Sequence, residues 1–153
     1  MSEVTATLVM RGPRLTLRPG PVLSGFMRVE CTIDFPRGRE AQAPMTRVVH
    51  LRAKDLDWLA HQLQLHVWTI QGAAEVDDGP ELVNLDTQIK LSLLAGALDV
   101  EHTPLFFVRC LLVYAEPNDG GGSRSWMGVE AEVEGPAALR FVEELQTFVK
   151  AYP

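Results

Sequence analysis

Between Trp126 and Ala151 the chain changes its side-chain period within a few residues, and that change dictates what the segment can become. Met127, Val129, Ala131 and Val133 alternate with Glu130, Glu132 and Glu134, the two-residue period of a strand with one apolar and one carboxylate-lined face. From Pro136 onward the apolar residues Ala138, Phe141, Val142, Leu145, Phe148, Val149 and Tyr152 fall on one stripe at about 100° per residue. The spacing predicts a helix over 136–151, opened by a proline suited to the first helical position.

The same order occurs earlier. Thr5–Met10 and Arg14–Arg18 read as strands around the turn signal Gly12-Pro13, and Pro19-Gly20-Pro21 reads as a break. Over Gly25–Phe35, Met27, Val29, Cys31, Ile33 and Phe35 alternate with Arg28, Glu30, Thr32 and Asp34. The segment "PRGREAQAP" has no apolar pattern and reads as an exposed hairpin connection. Met45–Ala53 alternates again, after which Leu56, Leu59, Ala60, Leu63 and Val67 set a helical stripe over about 54–67. Asp55 and Asp57 sit where the helix dipole favours acids. Residues 68–87 combine Gly72 and Asp77-Asp78-Gly79-Pro80 with five acids, and read as a loop with one short strand or turn. Gln88–Leu94 and Leu105–Glu116 are strands, the second apolar on both faces as a central strand would be. "PNDGGGS" is a hairpin loop. The expectation is one α+β domain over 1–153, with about six to eight largely antiparallel strands and two amphipathic helices. Strands followed by a helix, twice, point to two half-units packed together.

At 153 residues with 46% hydrophobic and 22% charged side chains, the chain can bury a real core. The net charge of −6 argues against nucleic acid as ligand, since a phosphate backbone calls for a basic patch. That charge is unevenly spread. Residues 1–54 hold nine basic and four acidic side chains (+5), and residues 55–153 hold five and sixteen (−11). Either the halves attract one another across the fold or the later part offers an acidic surface to a basic partner. No signal peptide pattern or long apolar span is evident, so a cytoplasmic location without membrane contact is expected. Cys31 and Cys110 lie inside apolar strand patterns and read as buried free thiols of a reducing compartment.

No catalytic constellation forms around these features. Glutamates two apart on a strand lie roughly 7 Å from one another, which suits a charged surface better than an acid/base pair. His61 and His66 are five apart, off the spacing of a helical metal pair, and His50 and His102 belong to no ligand motif. No metal or cofactor is expected. Gly120–Gly122 lack the ending of a phosphate loop. Arg109, alone among apolar residues, reads as buried and ion-paired. Trp58 and Leu65 are seven apart opposite the core stripe, with His61 between them, a patch of the kind that marks an interface. The candidate partner-binding residues are therefore Glu130, Glu132, Glu134, Asp77, Asp78, Trp58, His61 and Leu65. The contrasting reading is a ligand-binding or enzymatic domain with a pocket between sheet and helices, lined by Arg109, His50 or Trp68. A secretion chaperone or adaptor is a third, poorly matched by the strand-first layout.

The run "KDLDWLAHQL" after "RVVHL", the strands "TQIKLSLL" and "FFVRCLLVYAE", and the ending "LRFVEELQTFVKAYP" resemble WapI-like bacterial immunity proteins. The central insert and the glycine hairpin match no pattern of that family. The resemblance implies a non-enzymatic cytoplasmic antidote, monomeric or homodimeric, that binds and neutralises the toxin domain of a polymorphic toxin. Many such toxins are nucleases whose basic grooves would complement an acidic face.

Overall fold

The computed structural model describes residues 4–36, 44–79, 81–83, 89–115 and 125–151. Its first half is a four-stranded antiparallel meander of β1 (Ala6–Val9), β2 (Arg14–Leu23), β3 (Phe26–Asp34) and β4 (Met45–Leu51), followed by α1 (Ala53–Ala73). The second half holds β5 (Glu75–Val76), β6 (Glu81–Val83), β7 (Ile89–Leu98), β8 (Pro104–Ala115), β9 (Ser125–Glu134) and α2 (Gly135–Ala151). Here β7, β8 and β9 pair in sequence, while β5 and β6 pair with successive stretches of the same edge of β7. Nine strand segments thus fill eight sheet positions in an α+β fold, as the alternation of periods predicts. The interior of the 36–44 connection, the strand start at Gln88, the glycine hairpin and Tyr152 lie outside the described residues.

Several boundaries differ from expectation: β7 runs on to Leu98 rather than Leu94, residues 68–87 hold the two short strands β5 and β6 rather than one, and two further differences have a local cause. Pro19-Gly20-Pro21 does not end β2. The strand absorbs it through a register shift between Pro19, which still sits opposite Val29, and Val22, so that Gly20 and Pro21 fall outside the regular ladder. The reversal comes instead at Ser24-Gly25, both at positive φ (53° and 79°), a two-residue turn whose twist matches the strands it joins. Helix α1 runs six residues beyond the predicted Val67. The apolar period simply continues: His66, Val67 and Ile70 are all buried. At its start, Asp55 accepts a 3.0 Å hydrogen bond from the Arg52 N–H, satisfying a backbone donor at the positive end of the dipole.

One core serves both halves. Leu17, Val29, Cys31, Ile33 and Val49 from the first sheet join Leu91, Phe106, Val108, Cys110 and Val133 from the second. Leu63 and Ile70 of α1, with Phe141, Leu145 and Phe148 of α2, complete it. The helices are exchanged between the halves. Helix α2, which ends the second half, packs on α1 and chiefly on β1, with lesser contacts on β8 and β9, whereas α1 packs on α2, β5, β7 and β8. The seam between the sheets is closed by hydrogen bonds to backbone carbonyls, one from a backbone N–H and one from a side chain. Arg11 N–H donates to the Glu132 carbonyl (2.8 Å), and Arg47 Nε donates to the Val113 carbonyl (2.6 Å). Among the described residues no helix is long and apolar enough to cross a membrane.

Candidate functional site

The glutamate row lies on β9, opposite the face that carries Ala131 and Val133 into the core. Antiparallel register sets Glu130 directly across from Arg109 of β8. Arg109 Nη2 and Nε both donate to Glu130 Oε1, at 2.8 and 3.1 Å. Glu132 is reached from the first sheet, with Arg11 Nη1 at 3.3 Å from its Oε1. That approach is misaligned for a hydrogen bond, so the buried Oε1 accepts none. Glu134 stands exposed opposite Leu105. Two of the three charges are therefore answered from within the molecule, which corrects the picture of an unopposed carboxylate row. It also corrects Arg109, which is exposed on the outer sheet face rather than buried. The outer face of β8 is uncovered as well, with Phe107 exposed there.

A second arrangement forms where α1 ends. Ala74 takes up the left-handed conformation (φ 70°) and its N–H caps the helix on the Ile70 carbonyl at 2.8 Å. The chain then turns back along β7, whose register shifts between Leu93 and Gly96. At that irregularity Ala95 N–H donates to Asp78 Oδ1 (2.8 Å), Gly79 N–H donates to the Leu93 carbonyl (2.8 Å), and His66 Nε2 donates to the Leu94 carbonyl (2.7 Å). Between α1 and residues 75–79 this leaves a groove of about 520 Å³. Leu65, His66 and Thr69 form one wall, and Glu75, Val76, Asp77 and Asp78 the other.

This groove brings together Leu65, Asp77 and Asp78 from the sequence candidates and adds Glu75 and His66. His66 is only 5% exposed and meets the Phe106 ring edge-to-face at 4.9 Å. Burial pushes its imidazole below the ordinary value of 6.5, opposed in part by the bond to Leu94 and the charge of Asp78. The ring is thus neutral near pH 7, and no cation lines the groove, so Glu75, Asp77 and Asp78 set its charge. The helical period run three residues past Leu63 would have found His66.

The remaining candidates lie along the outer face of α1. Trp58 (38% exposed), His61, Leu65 (56%) and Trp68 (54%) form one line opposite the core stripe. Trp68 is absent from the sequence candidates for this face because the helix was expected to end one residue before it. Helix α1 covers the core side of the second sheet, so this line and the glutamate row look out from opposite sides of that sheet. The candidates therefore divide between surfaces. The pocket reading fares no better in placement. His50 lines a groove of about 330 Å³ beside Leu23, Phe26 and Arg28, Arg109 faces out from β8, and Trp68 faces out from α1.

Among the described residues no three His, Cys, Asp or Glu side chains converge as a metal site. Cys31 and Cys110 are both buried and unbridged. Desolvation raises both thiols, Cys110 to about 12, which removes them from nucleophilic chemistry near neutral pH. Comparison with protein-family models, curated proteins and solved structures finds no match to this chain.

Proposed function

We propose that the protein is a non-enzymatic, cytoplasmic partner-binding protein that neutralises a basic toxin domain, the role implied by its resemblance to WapI-like immunity proteins. The observation that carries the reading is the groove between α1 and residues 75–79. Its three carboxylates have no cation among the lining residues, and Leu65 and Val76 supply apolar wall. A lysine- or arginine-bearing segment gains there both from charge and from burial of its aliphatic stem. The β9 glutamates are weaker candidates, since Arg109 and Arg11 already meet two of them.

The test is co-purification with the toxin domain encoded by the neighbouring gene, followed by binding kinetics at several salt concentrations. The variant Glu75→Lys/Asp77→Lys changes two exposed side chains and leaves Asp78, which holds Ala95, in place. Affinity should fall by roughly tenfold or more, mostly through the association rate, with a shallower salt dependence. Glu130→Lys should change it much less. Equal affinity and salt slope for the groove variant and the unmodified protein would sink the reading.

A further inference from the structure

Trp58, His61, Leu65 and Trp68 follow one another at intervals of three, four and three residues. Those are the intervals of a two-helix seam, in which residues alternate three and four apart to keep facing a partner helix. The order is also symmetric about its centre. Reversing the helix end for end places tryptophan on tryptophan's mate, Trp58 against Trp68, and His61 against Leu65. A surface that maps onto itself by a half-turn is what a twofold, isologous contact requires. We infer that α1 pairs antiparallel with α1 of a second copy of this chain, across a twofold axis passing near Leu63.

Charge and size agree with that occupant. The polar residues beside the line at its middle and C-terminal end, Gln62, Gln64, Thr69 and Gln71, are uncharged. The charged residues Lys54 and Asp57 stand at the N-terminal end and, in antiparallel pairing, meet Gly72 and Thr69 of the second copy. Within the two helices no like charges fall opposite one another in this register, although each chain carries −6 overall. Open space over Gly72 allows close approach at that end. The four central side chains present roughly 400 Å², and their neighbours bring the contact toward the ~800 Å² per partner of a standard interface. The seam runs opposite the core stripe and shares Leu65, with Gln62 and Thr69 beside it, with the helix wall of the groove at residues 75–79, so pairing and toxin binding compete for that wall.

Sedimentation velocity from sub-micromolar to several hundred micromolar protein tests the inference. The mass should rise from 17.0 kDa toward twice that value, with tryptophan emission shifting to the blue as Trp58 and Trp68 leave water. Trp58→Lys and Trp68→Glu should each weaken association at least tenfold, with far-UV circular dichroism confirming that the fold is kept. The double variant Trp58→Lys/Trp68→Glu sets a cation opposite an anion at both ends only if the helices run antiparallel, and should recover association. A monomer at every concentration overturns the inference, as does a dimer indifferent to both single variants. Failure of the double variant to recover overturns the antiparallel register. Protection of the tryptophans from a soluble quencher only when a basic protein is added gives the seam to that partner instead.

Discussion

Gly128 shows how closely β8 and β9 approach one another. A Cβ at this position would overlap the carbonyl oxygen of Cys110, a backbone atom that cannot swing away. Gly128→Ala should therefore cost on the order of 3 kcal/mol in urea unfolding, through strain in the strand pair. Glu130→Ala, two residues on, removes an exposed ion pair and should cost less than about 1 kcal/mol. His66 supplies a prediction in pH. Its folded value lies below the 6.5 of a free imidazole, so the unfolded chain binds the extra proton more readily. Stability from this residue is fully present above that value and is lost as pH falls from about 6.5 toward the folded value. Melting temperatures taken across mildly acidic pH should decline in the parent protein, and His66→Phe should flatten that part of the profile. An identical slope in the variant would show that another group is responsible.

Helix α1 and its exit account for most of what separates sequence from structure. Side-chain period locates both helices and the strands carrying Met27–Ile33 and Val129–Val133, because burial of one face imposes the spacing that is read. It fails where geometry departs from a regular ladder. Pro19-Gly20-Pro21 reads as a break since proline cannot donate to a ladder, yet a register shift accommodates it. The apolar stripe predicts a helix that stops at Val67, with Gly72 in the following loop, yet burial of Ile70 carries it past Gly72 to Ala73. The groove was legible only in its parts. Leu65, Asp77 and Asp78 were visible as exposed types, but their meeting depends on the irregularity in β7, which no local pattern announces. Ala74 offers a direct test of the helix exit. A non-glycine residue at φ 70° pays a steric cost, so Ala74→Gly should stabilise by about 0.5–1 kcal/mol despite the greater freedom of the unfolded chain. A lower urea midpoint in that variant would argue that the cap is not strained.

At the scale of the whole molecule, charge is arranged by sheet. Arg14–Asp34 and Arg18–Glu30 bridge strands on the outer face of the first sheet, Arg109–Glu130 does so on the second, and Arg11–Glu132 crosses between them. The carboxylates left without such answers at Glu75 and Asp77 then define the acidic side. Exchange of the helices has a consequence of its own, since α1 makes its contacts with strands encoded after it. Residues 1–74 alone should therefore lack a cooperative thermal transition, and should regain one when mixed with residues 75–153. A cooperative melt of the first fragment by itself would contradict that interlocking. On the ribosome the same exchange fixes an order of events. The first sheet and α1 emerge with their apolar faces bare and must wait, roughly eighty codons, for the surfaces that cover them. The nascent chain is thus most exposed to misassociation at mid-synthesis, and completes its fold only as the final helix leaves the exit tunnel.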